Sequence, residues 1–452
     1  MPRQRAVALC SARPMDFEDA PLRPFHLRLA AASGLGVFST AAALGVVGIP
    51  LSLATSQLQL TPVWIGLLGG ASLVGLFFGA LAAGPVADRF GRRAIFRYNM
   101  AFLAVCCALQ FFVESSVQLF ALRLAIGFVI GTDFVVGKIV VSEFTPRVYR
   151  GRILSLLSIA WAGGFAFGYF VAFWLRSGDA NAWRWMLLAS ALPCLPAFLL
   201  RVTIPETPLW LAEHGRADQA ARIVLRIFGA GIIPPRLAPP RSSGHARWRQ
   251  LFSPTWRRRT LLGVAIYTCQ NIPYFALGTF VAEVINALNL HAGYVGGLFY
   301  NLSLLTGAAL GLIVVDRMSR RALLVGSFVV TALAVLPLAL GATLSPAIIT
   351  ILFGIYAIAL SCNVVLDYVY LPELFPTDLR GSGIAVASAG SRFGASTGTF
   401  LLPTVVADFG PRVAIAACAI VLLIGAVICY VWAPETRNVR LATVDAGPSD
   451  GV

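Results

Sequence analysis

The chain has 452 residues, 58% of them hydrophobic and only 12% charged, with a formal net charge of +15. Soluble chains carry roughly a quarter charged residues, so a water-soluble globular protein is excluded. The arginine excess sits between apolar runs, which makes it a membrane-topology signal and leaves a nucleic-acid patch a poor competitor.

Residues 1–28 are polar, end at Arg28 and hold no apolar run or cleavage site of a signal peptide, which predicts a cytoplasmic N-terminal tail. Twelve apolar runs follow, near 29–52, 63–83, 96–113, 118–142, 153–175, 185–204, 260–281, 293–314, 322–343, 347–369, 382–405 and 412–433. About 20 apolar residues cross a bilayer as a helix. Backbone groups in lipid must be satisfied within the segment, so each run is expected to be a transmembrane helix. The first six form one bundle, 29–204, and the last six a second, 260–433, followed by a cytoplasmic C-terminal tail, 434–452. Between them, 205–259 is a cytoplasmic linker. Its residues 216–228 read as an amphipathic helix, 234–244 are Pro- and Ser-rich and irregular, and 245–259 interleave Arg with Trp248, Phe252 and Trp256. This last stretch suits either a helix lying on an anionic inner leaflet or a tether with a solvated basic face. Eight cysteines lie scattered without ligand spacing, which predicts neither disulfides nor a metal site.

Three motifs recur at one spacing. GPVADRFGRR at 84–93 is answered by GLIVVDRMSRR at 311–321, SEFTPRVYRGR at 142–152 by PELFPTDLRGS at 372–382, and IPETPLW at 204–210 by APETRNV at 433–439. Asp88 to Asp316 is 228 residues, Glu143 to Glu373 is 230 and Pro205 to Pro434 is 229, so the chain is a duplicated unit. Arginine sets its orientation. One side carries Arg89, Arg92, Arg93, Arg97, Arg147, Arg150, Arg152, Arg317, Arg320, Arg321 and Arg380, and the linker adds Arg201, Arg216 and Arg257 to Arg259. Opposite-side loops hold Arg176, Arg184 and Arg412, so the rich side, with both termini, is cytoplasmic.

The shared motifs place charges at cytoplasmic helix ends. Gly91 provides a tight turn between two helices. Asp88, Glu143, Glu206, Asp316 and Glu373 lie beside Arg92, Arg93, Arg150 and Arg380, a set expected to act as a latch holding the cytoplasmic ends of the bundles together. GPVADRFGRR, through Gly84, Asp88, Arg89, Gly91, Arg92 and Arg93, resembles the signature between the second and third helices of the major facilitator superfamily. PETPLW and PETRN look like the endings of helices 6 and 12 in its sugar and metabolite porters, and GTDFVVGKIVVSEFTPRVYRGR resembles helix 4 of its proton-coupled metabolite symporters. The resemblance covers about 29–437. It implies an all-α membrane protein of twelve transmembrane helices in two pseudo-symmetric six-helix bundles, with helices 1, 4, 7 and 10 lining the cavity. Helix 7 reads YTCQNIPYF where sugar porters show paired glutamines, and helix 1 lacks a carboxylate, which puts hexose recognition in doubt and moves any proton site elsewhere.

Five ionisable residues fall inside predicted spans: Arg123, Asp133, Lys138, Asp367 and Arg392. Each is costly in hydrocarbon and should face a cavity or a partner. Asp133 and Arg392 lie roughly 14–15 Å from their cytoplasmic helix ends, near the midplane, and Asp367 roughly 5 Å in. Arg123, near the outer face, reads as snorkelling. Lys138 is rotated about 140° from Asp133 on a regular helix, so one of the two faces the cavity. Tyr356, Asn363, Asp367 and Tyr370 form a polar stripe on helix 10, and Tyr267, Gln270, Asn271 and Tyr274 another on helix 7.

These residues predict an alternating-access secondary transporter rather than an enzyme: the four histidines lie outside the spans and no nucleophile–base pair appears. Asp133 and Asp367 are the proton-coupling candidates. Lys138, Arg392, Gln270, Asn271, Tyr274, Asn363 and Tyr356 are the substrate-cavity candidates. Three intramembrane cations against two anions favour an anionic ligand or a neutral one with several acceptors, and the expectation is a small organic anion in symport with protons. The expected partners are that substrate, protons and the anionic lipids of a bacterial inner membrane, with no nucleic acid and no cofactor, for a monomer. A sugar or polyol porter, a metabolite exporter and a non-transporting membrane sensor remain as alternatives.

Overall fold

Helix starts follow the expected chemistry. Prolines 24, 62, 346 and 411 occupy first-turn positions, where a missing N–H costs nothing. Ser115 and Gln118 form a reciprocal capping box, and Thr61, Ser319 and Ser345 each accept from the N–H three residues on. The computed structural model describes residues 15–16, 19–176, 179–229, 232–233, 249–288, 293–315, 317–341, 344–375 and 377–436. Asp316 and Trp248 fall outside these residues, and for Arg380 only the backbone is described.

Spans 1 to 6 are Pro24–Ala54, Pro62–Phe90, Arg92–Phe112, Ser116–Phe144, Arg147–Trp174 and Ala182–Val202. Span 7 is Arg257–Thr279, continued by Val281–Ala287. Spans 8 to 12 are Gly293–Val315, Arg320–Ala339, Pro346–Leu374, Thr377–Phe409 and Pro411–Trp432. Among the described residues, ten helices are long and apolar enough to cross a membrane. Spans 7 and 11 have the length but carry Gln270, Asn271, Arg392 and many serines, threonines and glycines. Their polarity belongs to a cavity wall.

Without a hydrophobic drive in lipid, helices meet through small residues. Gly75 and Gly79 of span 2 lie against the Leu124 and Phe128 carbonyls of span 4, and Gly127 and Gly131 return the contact against Ser72 and Leu76. No side chain would fit there. Phe102, Leu199, Leu333 and Val427 stay exposed toward lipid.

The linker departs from expectation at both ends. Arg201 is the penultimate residue of span 6 and is fully buried; it is not a loop charge. The described part of the 245–259 stretch, 249–259, is not one surface helix: span 7 begins at Arg257 and Trp256 is buried against the bundle, while Phe252 is exposed. The amphipathic helix forms at Ala217–Phe228 and buries Ala220, Val224 and Phe228.

Candidate functional site

Asp133 of span 4 is held by Arg201 of span 6. The guanidinium grips both carboxylate oxygens: Nη1 meets Oδ1, and Nη2 donates to Oδ2 at 3.1 Å. The same guanidinium donates to the Ala32 carbonyl at 3.2 Å and the Phe96 carbonyl at 3.0 Å, and lies 4.0 Å from the Phe96 ring centroid. One buried ion pair thus ties spans 1, 3, 4 and 6 of the first bundle. Gly36 leaves the room it needs, since a Cβ there would collide with the guanidinium.

Lys138, on the other side of span 4, faces the second bundle. Its Nζ lies 3.6 Å from the Phe134 ring centroid, and Arg392 of span 11 approaches the same ring at 5.4 Å. Arg392 also lies 5.5 Å from the Phe275 ring of span 7. Asp367 of span 10 is within electrostatic reach of both cations. With its amide oriented by its neighbours, Gln270 donates to Asp367 Oδ1 at 2.9 Å and accepts from the Val364 N–H at 2.9 Å. Tyr274 of span 7 accepts from Trp161 of span 5 at 3.2 Å, a hydrogen bond between the bundles. Lys138, Arg392, Asp367, Gln270 and Tyr274 therefore converge on one chamber, with Phe134 at its centre. A small cavity lined by Ser33, Phe134, Lys138, Asp133 and Arg201 lies on the first-bundle side of Phe134.

Other candidates sit elsewhere. The Tyr356 hydroxyl is buried and donates to the Pro273 carbonyl at 3.0 Å, so it fastens span 10 to span 7. Asn271 donates to the Tyr267 carbonyl of its own helix at 2.8 Å. Asn363 is buried with both amide atoms lacking a hydrogen-bond partner. Arg123 does not snorkel to the outer face: it is 2% exposed and donates to the Ala43 carbonyl at 2.9 Å, bracing span 1 near its break.

The charges of the repeated motifs form two matching clusters. Arg92 pairs with Glu143 at 3.1 Å, and the Arg93 N–H donates to Glu206 at 3.1 Å. In the second half Arg320 approaches Glu373 at 3.7 Å, and the Arg320 N–H donates to Glu435 at 3.1 Å. Each PET glutamate caps the positive end of the third helix of its half. These contacts join helices of one bundle, whereas the sequence reading had them bridging the two. Gly91 has φ 90°, and a Cβ there would fall 2.5 Å from Glu206 Oε2, so glycine is required twice over. Ser319 stands at the equivalent turn with ordinary φ and caps Ala322 instead. Asp88 is exposed, its carbonyl accepting from Trp210, and Arg150 donates to the Thr145 carbonyl.

At the end opposite the repeated charged motifs the bundles are closed on each other. Gly48 lies on the Thr279 carbonyl, Gly66 on Phe400, and the Tyr169 hydroxyl donates to the Tyr294 carbonyl at 3.0 Å. Glu283 lines a small pocket in this seal. Sequence reasoning missed it because it lies two residues past the predicted end of its span. It missed Arg201 because a terminal arginine looks topological, and Phe134 and Trp161 because aromatics in an apolar run look like lipid-facing residues.

A family profile described as "Sugar (and other) transporter" matches residues 36–447. The inner membrane metabolite transport protein YgcS of Escherichia coli is 35% identical over 433 residues, spanning 95% of this chain and 96% of that one. The niacin transporter NiaP of Acinetobacter baylyi is 24% identical over 94% of this chain and 98% of its own. The xylose transporter XylE of E. coli, in a partially occluded inward-open conformation, superposes with a TM-score of 0.79 at 17% identity, covering 92% of this chain and 100% of that chain. The twelve spans, the repeated charged clusters and these matches make the chain a membrane transporter of the major facilitator superfamily, in its sugar and metabolite porter family.

Proposed function

We propose that the protein takes up a small organic anion together with protons across a bacterial inner membrane, working as a monomer with both termini cytoplasmic. The observation that carries this reading is the convergence of Lys138 and Arg392 on Phe134, with Asp367 within electrostatic reach of both. Two cations against one carboxylate leave a net positive site, and an aromatic floor suits a ligand with an apolar body. A substrate carboxylate that engages Lys138 and Arg392 competes with Asp367 for them. Asp367, left among apolar walls, then takes a proton from the open side. Substrate anion and proton enter as a neutral pair, so rocking the bundles moves no net charge through the barrier. Asp133 is a brace in this scheme: bidentate pairing with Arg201 holds it in the first bundle.

The halves 29–204 and 260–433 are the moving bodies, and their charged clusters keep each rigid at its cytoplasmic end. The niacin transporter among the relatives agrees with a carboxylate ligand. A sugar or polyol is the second reading, favoured by the family description and by Gln270 in the chamber wall.

Uptake into proteoliposomes under an inward proton gradient tests both. Organic acids should accumulate and dissipate with a protonophore. Asp367→Asn should still bind substrate and exchange it, but lose accumulation against a gradient. Accumulation of neutral sugars with no response to organic acids would overturn the anion reading.

A further inference from the structure

A second basic cavity lies far from the transport chamber, at the cytoplasmic membrane surface. It occupies about 460 Å³ between the start of span 1, the end of span 6 and the linker helix Ala217–Phe228. Arg23, Arg28 and Arg226 line it, over an apolar floor of Phe25, Ile223 and Ile227. Arg23 donates one Nη2 bond to the Phe228 carbonyl at 3.1 Å, which joins linker to span 1. Among the described residues, no carboxylate lies within ion-pair distance of any of the three arginines. The guanidinium of Arg28 and that of Arg226 make no hydrogen bond to a described residue. All three arginines are exposed, and they line one cavity with an apolar base.

The rim completes the pattern. Leu27, beside Arg28, is 74% exposed, and Leu225, beside Arg226, is 57% exposed. Span 1 begins at Pro24 and span 6 ends at Val202, so this rim lies where headgroups meet acyl chains. Guanidinium groups bind phosphate oxygens through paired N–H donors, and basic pockets between helices on the cytoplasmic side hold anionic headgroups.

We propose that this cavity binds the phosphodiester headgroup of an anionic inner-leaflet phospholipid, with its acyl chains lying over Leu27 and Leu225. The bound lipid fastens the linker helix to spans 1 and 6. The inference requires only that the protein sits in a membrane, so it stands or falls independently of the substrate and of proton coupling.

Native mass spectrometry of the full chain, delipidated and then exposed to phosphatidylglycerol or phosphatidylcholine, tests it. Wild type should retain one phosphatidylglycerol in preference to phosphatidylcholine. The double variant Arg28→Gln/Arg226→Gln should bind it about thirtyfold more weakly, on a scale of roughly a factor of five to six per arginine near an anionic surface. Arg222→Gln, exposed on the same helix but outside the lining, should bind as wild type does and shows that overall charge is not the cause. Equal binding of both lipids, or a double variant indistinguishable from wild type, overturns the site. Saturable binding of sn-glycerol 3-phosphate that excludes phosphatidylglycerol overturns the lipid source and gives the cavity to a soluble phosphate.

Discussion

Asp133 and Asp367 are both carboxylates on helices related by the internal repeat, the first buried and the second half-buried, yet their surroundings assign them different work. Asp133 faces inward, into its own bundle, where a single arginine takes both its oxygens and two further helices share that arginine. Asp367 faces the seam between bundles, where Gln270 holds one oxygen and two cations on different bundles compete for the charge. A pair whose members move together cannot report on the motion of the halves. A carboxylate whose counter-ions ride on two bodies can. The repeat position of Asp133 is Asn363 and that of Arg201 is Tyr430, so the second bundle lacks the brace and keeps a neutral amide instead.

The comparison breaks first at Arg201. Arg201→Leu leaves Asp133 buried without its partner and should cost about 3–5 kcal/mol, read as a lower unfolding temperature in detergent. The double variant Asp133→Asn/Arg201→Gln should lose less than the sum of the singles. If Asp133→Asn keeps its stability but abolishes proton-driven accumulation, the roles of the two acids are reversed. Next comes Lys138→Met, which removes one cation of the chamber. It should weaken substrate binding by about tenfold or more, the scale of a hydrogen bond to a charged group, without altering the unfolding temperature much. Gln270→Leu is smaller still. It removes one bond to Asp367, worth about 1 kcal/mol, and should shift the pH at which uptake is half-maximal more than it shifts maximal rate.

Glu373 supplies the smallest effect; it lies in the last turn of the span 10 helix, beyond the membrane-crossing stretch, which ends at Leu371. Burial pushes its carboxyl above the ordinary range, partly offset by Thr436, which donates to it at 2.5 Å, and by Arg320. A raised carboxyl favours this arrangement in acid and opposes it as pH rises through the raised value. The unfolding temperature should therefore fall slightly between pH 5 and 8, by a fraction of a kcal/mol because the group is part-exposed. Glu373→Gln should flatten that slope. An identical slope in the variant would show that Glu373 does not report its burial.

How much of this could be read from residues alone depends on where the signal was local. Span number and the duplicated motif clusters are local, carried by runs of apolar residues and by motifs at fixed offsets. The chamber residues Lys138, Asp367, Gln270 and Arg392 were also visible, because ionisable and amide groups stand out in apolar helices. Their grouping was not, since it depends on rotation about four separate helix axes. Arg201 was misplaced for a different reason: at the last turn of a span, a buried arginine and a topological one have the same sequence context. Tyr356 and Asn271 counted as cavity residues because a polar stripe shows its polarity but not whether its own fold satisfies it.

The two PET glutamates have a consequence for how the protein is made. Glu206 comes four residues after span 6 ends and reaches back to the first turn of span 3; Glu435 does the same from just past span 12 to span 9. The fastener of each half is thus its last part to be synthesised. The first half can close on itself as soon as Glu206 leaves the ribosome, before any of span 7 exists, and chain synthesis proceeds domain by domain in the same direction. The duplicated sequence is then two self-sealing units delivered to the membrane in succession, with the transport chamber created only when the second meets the first.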